Sequence, residues 1–264
     1  MERNALGRRF TAAALLRFSL PNVVMMIFLS LYTIVDGMFI SRMVGTLALS
    51  AVNMSFPLNS LELALGIMLG TGASAVVARE MGEGGDALAR RDFSCVVAVA
   101  AAMGVFFALA GNALLKPLLE LLGTSGRQMP YTESYTRILL WFAPALFLQT
   151  VFQVLFVTAG KPGLGLGTTV LGGVANMALD YWFMGPLRMG VAGAALATGI
   201  GYCIPAAAGV LYFCRPRDSA LWFVAFRPRW KMLLQTCGNG SSEMVSNIAN
   251  ALTTFLFNIL FLRF

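Results

Sequence analysis

Residues 164–184 read LGLGTTVLGGVANMALDYWFM, an apolar stretch with a single charged side chain, Asp180. Its length suits a helix that crosses a hydrocarbon layer about 30 Å thick, which takes roughly 20 residues. A carboxylate inside such a span costs on the order of 2.5–3.5 kcal/mol on insertion scales, so it is placed there with a partner and a task. Asn176 stands four residues before Asp180, which sets an amide and a carboxylate on one helical face a turn apart.

Working outward, apolar runs of similar length recur at 15–39, 49–78, 93–115, 135–158, 191–213 and 240–262. With 58% hydrophobic and 12% charged residues, the 264-residue chain reads as an all-α, multi-pass membrane protein with seven spans. The net charge of +7 raises the question of a nucleic-acid partner. In so apolar a chain, however, the placement of Lys and Arg carries more information than their sum, and it sets topology. Thirteen of the nineteen basic residues fall in alternate connectors, from Arg3, Arg8, Arg9 and Arg17 through Arg79, Arg90, Arg91 and Lys161 to Lys231. The positive-inside rule then puts the N-terminus in the cytoplasm, and no nucleic-acid partner is expected. The first run is too long for a signal-peptide core and lacks a small-residue cleavage site, so it is expected to be retained. Cys95, Cys203, Cys214 and Cys237 show no metal-ligand spacing and read as reduced packing residues. The chain has no histidine, so any proton coupling falls to carboxylates.

Short Gly- and Pro-rich connectors at 81–86, 160–163 and 185–190 predict antiparallel neighbours. The longest connector, 215–239, holds Leu221-Trp-Phe-Val-Ala-Phe226 between Pro216 and Pro228. Its aromatics beside Arg and Lys suit the headgroup interface, so it is expected to lie on the membrane as a link between lobes. Pro21, Pro57, Pro144 and Pro205 fall inside apolar spans and predict kinks.

The same kind of acid occurs in the first span, within Leu31-Tyr-Thr-Ile-Val-Asp-Gly-Met-Phe-Ile40. Asp36 lies nineteen positions after Arg17, and Asp180 nineteen after Lys161. At about 1.5 Å per residue, both reach a depth of about 28 Å, in the outer part of the membrane. The sixth span returns from outside and brings Thr198 to a similar level, with Ala194 one turn earlier able to offer a carbonyl. Small residues along 168–176 and 190–199 allow the fifth and sixth spans to approach closely. Two carboxylates, an amide oxygen, a hydroxyl and a carbonyl form a hard-oxygen set suited to a proton or a small cation such as Na+. The competing account is that each acid is satisfied locally and only fixes packing. Glu62 either faces a polar cavity with Asn53 and Asn59 or snorkels between helices, and of a site or a structural role the structural one is expected, whereas Glu243 is left open. Tyr32, Tyr135, Trp141 and Phe152 are candidates to line a substrate cleft, although membrane helices use aromatics mostly for packing.

No phosphate loop, metal-ligand spacing or nucleophile elbow is present, so the chain is not expected to be an enzyme, to hydrolyse ATP or to hold a cofactor. Pro21 with Leu31–Ile40, Gly45 and Ala51, followed by Asn176-Met-Ala-Leu-Asp180, resembles the multidrug and toxic compound extrusion (MATE) family of cation-coupled antiporters. The resemblance implies twelve helices in two six-helix lobes, with cationic or amphipathic small molecules expelled in exchange for H+ or Na+. It places the cation site of the N-terminal lobe at Asp36, Asn176, Asp180, Thr198 and the Ala194 carbonyl, the bending point near Pro21, and Tyr135 near the lobe cavity.

The chain departs from that pattern in length. It would comprise the N-terminal lobe (1–214), the connector (215–239) and part of a seventh helix (240–264), and is expected to be a fragment of a longer gene whose C-terminal lobe is missing here. The expected setting is a bacterial or archaeal cytoplasmic (inner) membrane. Two rivals are a lipid-linked oligosaccharide flippase, which would need basic residues deep in its spans, and a non-transporting scaffold, which would tolerate loss of both acids.

Overall fold

The computed structural model describes residues 12–124, 126–216 and 221–261. Ten α-helices occur among the described residues: α1 Ala12–Met43, α2 Thr46–Met54, α3 Phe56–Gly82, α4 Asp86–Phe106, α5 Leu115–Leu121, α6 Met129–Trp141, α7 Ala143–Thr158, α8 Pro162–Met184, α9 Val191–Phe213 and α10 Trp230–Phe261. Four of the helical stretches are long and apolar enough to cross a membrane, and the α6–α7 pair makes a fifth if it counts as one bent span. The protein is therefore a multi-pass membrane protein. The expected seven spans are not all among these: α8 is long enough, but its glycines together with Asn176 and Asp180 dilute its apolarity.

Two expected spans are broken. The run from residue 49 divides at Ser55, where the short α2 ends and Pro57 sits in the first turn of α3. The run 135–158 bends by 57° between α6 and α7, at Phe142, and Pro144 opens α7. Both prolines occupy positions whose N–H has no helical partner to lose, so they start helices instead of kinking them. Pro205 lies inside α9 and Pro21 inside α1. The side chain of Pro21 lies outside the described residues.

The core sits toward the end of the bundle that carries Arg79, Arg90 and Arg229. Phe93, Phe147, Phe152, Phe156 and Phe213 are fully buried there, and Phe152 and Phe156 stack on Phe213 at 5.8 and 5.3 Å. The connector is sewn into this core, contrary to the expectation that it would rest on the membrane surface. Leu221 is fully buried, Phe223 lies 5.2 Å from Phe93, and the Val224 N–H donates to Ser94 Oγ at 3.0 Å. The Arg90 guanidinium stacks 3.4 Å over the Trp222 ring. Local composition matched an interfacial segment because the same aromatics serve either surface; the depth of the groove they enter is a tertiary property. The last helix also begins at Trp230, ten residues before the expected boundary at 240.

Close helix contacts run through glycine. A Cβ on Gly72 of α3 would strike the Thr236 carbonyl of α10, and one on Gly240 would strike the Met68 carbonyl. Between α8 and α9, a Cβ on Gly172 would lie 2.7 Å from the Gly201 carbonyl oxygen. These are the small-residue contacts that let helix backbones meet. By contrast, α1 is only loosely held, with 11% of its apolar window buried. Its inward stripe runs Met25, Leu29, Tyr32, Asp36 and Ile40, while Met26, Ile27, Leu31 and Ile34 face outward and are more than half exposed.

Candidate functional site

The inward stripe of α1 meets the polar face of α8. Asp180 is fully buried, and its carboxylate lies close enough to that of Asp36 for the two charges to interact directly. Two carboxylates cannot hydrogen-bond unless one carries a proton, nor sit together comfortably unless a cation lies between them. Asp36 Oδ1 and both Asp180 oxygens have no hydrogen-bond partner among the described residues, and none of the ion pairs found there reaches either acid.

One turn before Asp180, Asn176 is buried and its Nδ2 donates to Thr198 Oγ1 of α9 at 3.3 Å. Its Oδ1 has no donor. The Gly172–Gly201 contact makes this arrangement possible, because a Cβ on Gly201 would lie 3.2 Å from the Asn176 Cβ. Asn176 Oδ1 therefore joins the two carboxylates as an acceptor with nothing donating to it. Ala194 is fully buried and belongs to the apolar cluster of Ile40, Tyr135, Met184 and Val191.

Next to the acids lies a cavity of about 310 Å³ lined by Tyr32, Glu62, Gln149, Gln153, Tyr202 and a set of leucines. Tyr32, Gln149, Thr169 and Tyr202 also border a second space of about 40 Å³, whose far wall is Asn176 and Thr198. A space of that size holds an ordered water. The two spaces thus share the wall of Tyr32, Gln149, Thr169 and Tyr202, and the smaller one borders the amide–hydroxyl pair of Asn176 and Thr198.

The aromatic candidates separate. Tyr32 lines both spaces, and Tyr135 is buried within electrostatic reach of Asp36 and Asp180 with its hydroxyl near Thr198. Phe152 is not a cavity residue: it is fully buried in the aromatic core, on the face of α7 away from Gln149 and Gln153. Trp141 is also misplaced by the sequence reading, being 58% exposed at the bend before α7. Glu243 is exposed on α10.

Sequence reasoning missed Tyr202, Gln149 and Gln153. Their signal was present: Tyr202 follows Thr198 by one turn on the same face, and two amides four residues apart in the apolar α7 mark a polar stripe. Of the two placements open to Glu62, the structure has the cavity: the residue lines it, is 2% exposed, and its Oε1 lacks a donor. Asn59 shares that cavity, whereas Asn53 is exposed.

The described residues thus form a helical membrane bundle in which a polar cavity lies near acids that no basic side chain among them pairs. The chain belongs to the MatE family, whose model matches residues 21–182. It is 22% identical over 246 residues to "Multidrug export protein MepA" of Staphylococcus saprophyticus, covering 93% of this chain and 54% of that protein. The MepA of Staphylococcus aureus is likewise 22% identical, with 93% and 55% covered. Among solved structures, the outward-facing conformation of a multidrug resistance MATE family transporter superposes with a TM-score of 0.84 at 25% identity, over 92% of this chain and 54% of that one. The chain thus spans about half the length of the relatives it matches.

Proposed function

We propose that these residues form the cation-binding half of a multidrug efflux transporter, which exchanges H+ or Na+ for cationic or amphipathic small molecules by alternating access. The observation that carries this reading is the pair Asp36 and Asp180, the first partly and the second fully buried in an apolar bundle, with no ion pair to a basic side chain among the described residues. A bound proton or Na+ would draw the α1 and α8 carboxylates together, while its loss would leave two like charges in contact. α1 is the lightly buried member of that pair and is the one free to bend. Because a ligand shifts an equilibrium only by its differential affinity, the cation must favour the conformation in which α1 closes on the cavity and expels the drug.

The end bearing Arg79, Arg90 and Arg229 would then face the cytoplasm of a bacterial or archaeal cell, with the acids in the outer half of the membrane. The direct test is gradient-driven efflux of a cationic dye by the natural full-length protein carrying this sequence. Asp36→Asn and Asp180→Asn should each abolish it, and undiminished efflux in both would sink the proposal. Imposing proton and sodium gradients separately in vesicles identifies the ion.

A further inference from the structure

Glu62 has no role in the acid pair. It projects from α3, not from α1 or α8, and lines the cavity of about 310 Å³ but not the smaller space beside Asn176 and Thr198. The residue is 2% exposed, its Oε1 accepts no hydrogen bond, and no Lys or Arg among the described residues forms an ion pair with it. A buried carboxylate without a partner is costly unless something brings it the missing positive charge. The cavity indicates what that charge is carried on. It is far larger than a bare ion needs, and no cluster of three or more acidic, His or Cys side chains among the described residues could hold a metal there. Leu63, Leu139 and Leu146 supply apolar wall, while Tyr32 and Tyr202 present aromatic rings to the same space, with Tyr202 in electrostatic reach of Glu62. A single acid set among aromatic and aliphatic walls is the chemistry that recognises a lipophilic organic monocation.

We propose that Glu62 is the carboxylate that anchors the cationic group of the transported molecule, separate from the coupling-ion pair and dependent on the transport reading above. In this arrangement Asp36 and Asp180 hold the ion and Glu62 holds the substrate charge, with Tyr32 and Tyr202 lining the cavity between the helices that carry them. Selectivity for cations over neutral compounds then resides in α3.

The test uses the purified natural full-length protein and two probes of similar aromatic bulk, tetraphenylphosphonium and the neutral triphenylphosphine oxide. Glu62→Gln should weaken tetraphenylphosphonium binding about 10- to 100-fold, the scale of a lost charged contact, while changing triphenylphosphine oxide binding less than about twofold. Gln153→Lys, which sets an ammonium in the same cavity, should cause the same selective loss and serves if Glu62→Gln does not fold. Retained cation binding in both variants, equal weakening for both probes, or no tetraphenylphosphonium binding by the wild type would overturn the proposal. Dye efflux that is lost in Asp36→Asn but kept in Glu62→Gln would remove the Glu62 assignment and leave the coupling reading standing.

Discussion

Asp92 and Asp180 are both buried acids in one helical bundle, yet their surroundings are opposite. Asp92 is 1% exposed and accepts a hydrogen bond from Arg229 at 2.8 Å, and the same guanidinium lies 3.7 Å from Glu80. One cation thereby serves two acids and ties the start of α10 to α3 and α4. Asp180 is just as buried, but what faces it is a second carboxylate, Asp36, and no cation among the described residues reaches either. Burial alone does not mark a functional acid. What separates the two regions is whether the protein itself supplies the compensating charge: where it does, the acid is a fastening, and where it does not, the charge must come and go.

This contrast can be broken experimentally, and its largest expected consequence is for transport. Neutralising either Asp36 or Asp180 should reduce dye efflux by the full ion-coupled component, at least about 100-fold, whereas Asp92→Asn should leave coupled efflux within several-fold of wild type wherever the protein folds. Comparable losses at the two ends would erase the distinction.

The next effect concerns the support of the acid pair. Gly172→Ala places a methyl group against the Gly201 backbone, 2.7 Å from its carbonyl oxygen, and should force α8 from α9. Overpacking of this kind costs about 1–3 kcal/mol. Thermal unfolding in detergent should show the loss, and ion-dependent efflux should fall with it because Asn176 and Thr198 move apart.

Stability then sharpens the comparison by its sign. Asp92→Asn removes the charge on a strong hydrogen bond to Arg229. Such bonds are worth about 1.5–3 kcal/mol, less here because Arg229 is 46% exposed to its surroundings. Asp180→Asn removes a like-charge contact, so it should leave the melting temperature unchanged or raise it. A clear drop for Asp180→Asn alongside none for Asp92→Asn would invert the assignment. The smallest effect is expected at Trp141, whose side chain is 58% exposed: Trp141→Ala should change stability by no more than about 0.5 kcal/mol and leave efflux intact.

Much of the architecture was legible along the chain, since a helix in lipid must satisfy its own backbone and so declares itself by length and apolarity. The acids stood out for the complementary reason, that a carboxylate in such a run is expensive. Asn176 followed from its four-residue spacing to Asp180. Elsewhere periodicity was silent. Phe152 and Gln153 are adjacent in an apolar helix, and only the packing of α7 sends one into the aromatic core and the other into the cavity. The connector at 221–226 had the composition of a membrane-surface segment and became a strap because a groove between α4 and α9 accepts Leu221 and Phe223.

By itself, then, the amino-acid order determined that this is a helical membrane protein with acids buried at unusual cost, because span length and charge depletion are local properties. Only the tertiary structure decided which acids are compensated. Arg229 reaches Asp92 across 137 positions of chain, and Glu62 meets no such partner. Ion pairing depends on distance in space, which neither spacing nor composition along a chain encodes.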